Sequence, residues 1–279
     1  MKNRKALALI AILALVAAAC GGSDGGSDDA VVEVETTEAP ATTEAPTTTA
    51  APAPAGDPLI LASLMPLSGD LASLGPGIAL GAALAVEQIN AAGGINGQPV
   101  QLIEGDSGCD GAVALTSLND VIAQGAQGVM GAACSGTSLA ILDTAIAAEV
   151  VMVSPSNTSP QFTKIDKKGF YARTAPSDLL QGEVLASLIA EDGVSTISII
   201  SRADSYGRGL AEATAAAFEA AGGTVKTIVY HATDATEFTS EVTAVGKGGA
   251  DAIVGILFPE TGCGVLQPAF EQGLLDTPW

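Results

Sequence analysis

The sequence predicts an α/β fold of two parallel-sheet lobes joined by a hinge, with the second lobe incomplete. From Asp57 onward, short apolar and β-branched runs alternate with longer helical patterns, and that alternation specifies parallel strands covered on both faces by their crossing helices. After Arg173-Thr174-Ala175-Pro176-Ser177-Asp178 the alternation begins again. A helix ending Ala91-Ala92-Gly93-Gly94 before a strand recurs as Ala220-Ala221-Gly222-Gly223 before another, a short internal echo of the kind repeated lobes leave.

Leu59 to Ser63 reads as the first strand, and Met65-Pro66-Leu67-Ser68-Gly69 as the loop into a helix from about Gly77 to Ala91. The glycines of Ala92-Gly93-Gly94-Ile95-Asn96-Gly97 stop that helix, and Pro99 to Glu104 resumes as a strand. Ala112 to Ala123 is helical and Gly128 to Ala132 is the third strand. Cys134-Ser135-Gly136-Thr137-Ser138 then opens a helix over Leu139 to Ala148, and Val150 to Val153 is a buried parallel strand ending in the loop Ser154-Pro155-Ser156-Asn157-Thr158. Pro176 restrains the crossing to the second lobe, and Ser177 or Asp178 caps the helix that runs to Ala190. Thr196 to Ser201, Val225 to Tyr230 and Ala252 to Phe258 read as strands, with helices over Gly207 to Ala221 and Phe238 to Gly246 between them. The chain ends at Trp279 after a helix and before a strand to receive it, so a fragment is expected. The domain reading is 57–175 for the first lobe and 176–279 for a partial second lobe.

The two polar loops, 134–138 and 154–158, follow adjacent strands, and ligands of open α/β sheets gather beyond the carboxyl ends of strands. The first also opens a helix, whose free amides favour an anion. Ser, Gly, Pro and Asn are equally ordinary turn formers, so one such loop alone decides nothing; two at neighbouring strand ends point to a site.

The net charge of −20 over 279 residues is unevenly spread. After Lys2, Arg4 and Lys5 the next cation is Lys164, while sixteen Asp and Glu lie between Gly21 and Thr163. This excludes a nucleic-acid groove. A ligand carboxylate in the first lobe must therefore be held by amides, hydroxyls and helix dipoles.

Residues 1–19 read as a signal peptide: a basic start, then an apolar run from Ala6 to Ala19 too short to span a bilayer. Ala17-Ala18-Ala19-Cys20-Gly21 resembles the lipobox of bacterial lipoproteins, which implies lipidation at Cys20; cleavage as a plain signal peptide is the alternative. Residues 20–56 carry this cysteine and a Thr/Pro/Ala/Glu-rich stretch that reads as a disordered tether. The expected location is extracytoplasmic, with the chain anchored to the bacterial cell membrane through Cys20. Export implies an oxidising setting in which Cys109 and Cys134 are disulfide candidates, with zinc the weaker alternative and Cys263 left without a partner.

Several segments taken together resemble the leucine/isoleucine/valine-binding branch of the type I periplasmic binding proteins, the receptors of ABC importers. They are Pro66-Leu67-Ser68-Gly69, then Leu84-Ala85-Val86-Glu87-Gln88-Ile89-Asn90-Ala91-Ala92-Gly93-Gly94-Ile95-Asn96-Gly97, Cys134-Ser135-Gly136, Ser154-Pro155-Ser156-Asn157-Thr158, Arg173 to Asp178, and Tyr206-Gly207-Arg208-Gly209-Leu210. The resemblance implies two Rossmann-like parallel-sheet lobes with a ligand cleft between them, no cofactor, no metal and no catalysis. It implies binding of a branched-chain amino acid or similar small amino acid or amide, with the ABC permease membrane subunits as partners. The spacing of Cys109 and Cys134 also resembles that family's disulfide. By this resemblance Ser135 and Thr158 take the ligand carboxylate, the Ser156 carbonyl accepts from its ammonium, and Tyr206 closes over it. Phe258 stands where tyrosine is frequent, and Leu74 near a position often aromatic. The family's further acidic ligand to the ammonium would lie beyond Trp279.

Two other function classes compete. A ligand-binding sensor module for a signalling partner would use the same fold. A secreted hydrolase would need Ser135, Asp143 and His231 as a triad, yet no nucleophile elbow is present and His231 falls in a strand of the other lobe.

Overall fold

A computed structural model describes residues 56–279. The expected signal peptide, lipidated Cys20 and the tether up to residue 55 lie outside the described residues. The first sheet has the order β2-β1-β3-β4-β5, all parallel. Its strands are β1 (Ile60–Met65), β2 (Gln101–Asp106), β3 (Gly128–Gly131), β4 (Val151–Ser154) and β5 (Tyr171–Arg173). Helices α1 (Gly75–Ala91), α2 (Gly111–Ala123), α3 (Ser135–Ala147) and a single turn α4 (Gln161–Lys164) connect them. The second sheet, β7-β6-β8, is also parallel. It is built from β6 (Thr196–Arg202), β7 (Thr224–His231) and β8 (Ala252–Ile256), with α5 (Asp178–Glu191), α6 (Ser205–Ala220), α7 (Thr239–Gly246) and α8 (Pro259–Glu271) around it. The fold is α/β, as expected, and the second sheet has three strands.

Burial follows from residue pattern. Leu64, Leu118, Val121, Ile141 and Met152 form one core between the first sheet and its helices. In the second lobe the central strand β6 is covered on both faces: Ile197 and Ile199 pack with Phe218 and Leu210, while Ile200 packs with Phe238, Val242 and Val265. Each such side chain contributes about 1.5–3 kcal/mol of transfer free energy.

Four expectations are corrected. Arg173, read as the first residue of the crossing, instead ends a strand over Tyr171–Arg173, β5, with Ser154 in register with Arg173. Three residues ending in a charge carry too little periodicity to announce a strand. The turn α4 was likewise not expected; Phe162 within it stacks on Tyr171, with centroids 4.5 Å apart. Helix α3 begins at Ser135 and not at Leu139, so the expected first loop is largely the helix's own first turn. Strand β8 ends at Ile256, two residues early, because Phe258 stands at the N-cap of α8 ahead of Pro259.

Candidate functional site

Strand β3 ends at Gly131, whose φ of 138° suits glycine and whose missing Cβ lets the chain pass against the Leu64 carbonyl. The chain then enters α3 with Cys134 as N-cap. Cys134 is bonded to Cys109 of the β2–α2 loop, with Cα atoms 5.4 Å apart. The amides of the first turn of α3 have no intrahelical acceptor and point at whatever lies before the helix.

The second loop is stitched to the first through buried polar groups. The Ser154 hydroxyl donates to the Ala132 carbonyl at 2.7 Å and accepts from the Asn157 amide at 3.0 Å. Asn157, fully buried, donates to the Ala133 carbonyl at 2.8 Å and accepts from the Tyr171 hydroxyl at 2.8 Å. The Ser156 hydroxyl donates to the same Ala133 carbonyl at 2.9 Å. The Ser135 oxygen accepts from the amides of Thr158 and Ser159 at 3.4 and 3.3 Å. Two acceptor contacts leave the Ser135 O–H itself available as a donor. Arg173 on β5 donates to the Ser159 carbonyl at 2.9 Å and fixes the far side of the loop.

Across from these donors stand Tyr206, in the first turn of α6, and Phe258, with rings stacked 5.7 Å apart at 22°. Ser135, Ser156, Thr158, Tyr206 and Phe258 line one cavity of about 220 Å³. Leu71 and Gln181 line it too, and neither was anticipated from the sequence. Leu74 is not among the lining residues; it precedes α1 with half its surface exposed. Leu71, in the left-handed region at φ 61°, turns the loop so that it and not Leu74 meets the cavity.

Asp178 is the other residue that sequence reasoning missed. Ser177 caps α5 by accepting from the Leu179 amide, and Asp178 is fully buried with neither carboxylate oxygen hydrogen-bonded. Its own amide donates to the Thr158 carbonyl at 2.8 Å, so it sits directly behind the cavity wall. Burial pushes its pKa up to about 6, against smaller lowering influences from the nearby Thr158 hydroxyl and Arg173 guanidinium. Burial raises the Tyr206 phenol as well, and the negative charges of Asp178 and Asp204 add to that rise.

The hydrolase arrangement is not assembled. Asp143 is exposed on α3, and buried His231 packs edge-on against Phe238 with Nδ1 at 2.8 Å from the Ala232 carbonyl. Among the described residues no group of His, Cys, Asp and Glu is placed to hold a metal ion, and no helix is long and apolar enough to cross a membrane.

The described chain compares closely with known binding proteins. An amino acid binding protein of Pseudomonas aeruginosa is 34% identical over 214 residues, which is 75% of this chain and 56% of that protein. The leucine-, isoleucine-, valine-, threonine- and alanine-binding protein of the same organism is 32% identical over 213 residues, with the same coverage. This chain therefore spans little more than half the length of these relatives. The crystal structure of LivJ, the branched-chain amino acid transporter substrate-binding protein of Streptococcus pneumoniae, in complex with isoleucine, superposes with a TM-score of 0.69 at 25% identity, covering 78% of this chain and 62% of that one. A leucine-binding protein LivK from Thermotoga maritima gives 0.70 at 22% identity, covering 77% and 61%. The sequence pattern described as periplasmic binding protein matches residues 58–277. With its parallel-sheet lobes and the cavity at their strand tips, the chain belongs to the periplasmic binding protein family.

Proposed function

We propose that this chain is the ligand-binding part of an extracytoplasmic receptor that takes a small zwitterionic amino acid with an apolar side chain, of the branched-chain type, for an ABC importer. One observation carries the reading: a cavity of about 220 Å³ lined by hydroxyl donors on one side and paired rings on the other, with an unpartnered buried carboxylate behind its wall. The Ser135 and Thr158 hydroxyls and the α3 amides suit a ligand carboxylate in a lobe that has no cation before Lys164. Asp178 suits the ammonium, since bringing a cation close satisfies a carboxylate that burial otherwise penalises. Leu71, Tyr206 and Phe258 suit an aliphatic side chain and exclude a charged one.

The names of the relatives, which are those of amino acid and leucine, isoleucine and valine binders, favour the same class. Among the described residues no nucleophile and base are paired at the cavity, which supports reading it as a binding site. Delivery to permease subunits, and anchoring through a lipid on Cys20, follow from the family resemblance and the Ala18-Ala19-Cys20 pattern. Titration calorimetry with L-leucine tests the site. Ser135→Ala and Thr158→Ala should each weaken binding by about tenfold or more, the effect of a lost charge-assisted hydrogen bond. Unchanged affinity in both removes the proposed carboxylate site.

A further inference from the structure

Beside the cleft lies a second feature that the binding reading does not use. Arg202, the last residue of β6, is 2% exposed, which is rare for an arginine. Its Nε donates to Asp204 at 3.0 Å within its own lobe. Its Nη2 donates to Asp70 at 2.6 Å, and Asp70 belongs to the β1–α1 loop of the other lobe. The guanidinium lies 4.0 Å over the Phe258 ring, whose neighbour Tyr206 lines the ligand cavity with it. The next residue of the loop is held from the second lobe as well: Glu260, in the first turn of α8, accepts from the Leu71 amide at 3.2 Å and from the Ser73 hydroxyl at 3.3 Å. Leu71 lines the cavity, so the loop that covers the ligand is gripped on both sides by the opposite lobe.

We propose that Arg202, with Asp70, is an interlobe clasp that positions Phe258 and Leu71 over the bound ligand and governs how fast it leaves. The inference rests on the binding reading above. Opening two lobes about a hinge must break every bond that crosses between them, and the Asp70–Arg202 pair is the shortest charged one. Arg202 retains Asp204 when the lobes part, so the open form does not strand a buried cation. A planar guanidinium is needed because it stacks on Phe258 and reaches two carboxylates at once, which a lysine does not. The clasp holds the closed form with or without ligand, and a bound ligand leaves only when it opens; its loss therefore shows chiefly in dissociation.

The test uses Asp70→Asn, which keeps Arg202 and its partner Asp204, and Asp70→Glu as the charge-retaining variant, in the full chain. Stopped-flow displacement of L-leucine should show dissociation about tenfold faster in Asp70→Asn, with association within twofold of wild type, and Asp70→Glu should recover most of the loss. Hydrogen exchange of the segment 66–74 in the ligand-free proteins should speed up in Asp70→Asn alone, while the melting temperature stays within a degree or two. Dissociation and exchange both unchanged overturn the clasp, and so does a melting temperature that falls in step with them, which marks a mere fold prop. Should wild type take up no L-leucine, the binding reading fails by itself and hydrogen exchange alone decides the clasp.

Discussion

At the scale of single residues, Asp178 carries a stability cost that the proposed ammonium-binding role would offset. A carboxylate left buried and unpaired destabilises the native state, because the charged form has lost water and gained no partner. Its pKa stands at about 6 against an ordinary value of 3.8. The folded chain therefore holds a proton that the unfolded chain releases between pH 4 and pH 6, and stability falls as pH rises through that window. Above it the penalty is on the order of 3 kcal/mol. A ligand ammonium requires the ionised carboxylate, so binding must move the opposite way and strengthen as pH rises through 6. Asp178→Asn is expected to raise the urea midpoint at pH 7.5, weaken L-leucine binding by more than tenfold, and flatten the difference in affinity between pH 5 and pH 7.5. Calorimetry at the two pH values and a urea titration check all three outcomes.

At the scale of elements, the Cys109–Cys134 bond ties the β2–α2 loop to the N-cap of α3, one residue before Ser135. Gly69, at φ 67°, packs against the Gly108 carbonyl with no room for a Cβ, so the loop carrying Asp70 and Leu71 rests on the same disulfide loop. Asp106, at the end of β2, holds the other side. Partial burial pushes its pKa up, but hydrogen bonds from the Ser68 hydroxyl and the amides of Gly108, Leu67 and Ser68 outweigh that and keep it below its usual range. A bridge over a 25-residue separation stabilises by about 3.5 kcal/mol in the chain-entropy estimate. Cys109→Ala/Cys134→Ala is expected to lose an amount of that order in a urea titration, and to weaken L-leucine binding because Ser135 and the covering loop lose a shared support. Full stability in the double variant removes this account of the bridge.

At the scale of the whole molecule, the charge of −20 acts on the balance between folded and unfolded states. The first sheet's elements hold no Lys or Arg until Lys164 in α4, so their carboxylates repel without local compensation. Repulsion at separations beyond a few ångström is screened as the Debye length falls from about 30 Å at 0.01 M to about 8 Å at 0.15 M ionic strength. The melting temperature should rise when NaCl is raised between those concentrations, as differential scanning calorimetry will measure. A flat response means that this repulsion is not a term in the stability. Crowded carboxylates also clarify why Arg202 is so fully buried, with Asp70 and Asp204 on either side of it.

The alternation of strands and helices was legible because burial on both faces of a parallel sheet demands continuous apolar runs, and helical cover demands longer ones between them. Most of the helix and strand boundaries in both lobes therefore lie within two or three residues of expectation. Ser135, Ser156, Thr158, Tyr206 and Phe258, expected together from motif resemblance, line one cavity because their loops sit at fixed places along the chain. What residue type alone does not specify is which side of a loop faces inward. Ser177 and Asp178 are equally good caps in sequence, and only packing against Thr158 makes one the cap and buries the other. Leu71 and Leu74 are alike until a left-handed turn at Leu71 aims one at the cavity. Arg202 is an ordinary strand-ending cation until a loop 132 residues earlier supplies Asp70. Local patterning sets the elements, since periodicity is written in neighbouring residues; the clasp and the unpaired carboxylate arise only where distant segments meet.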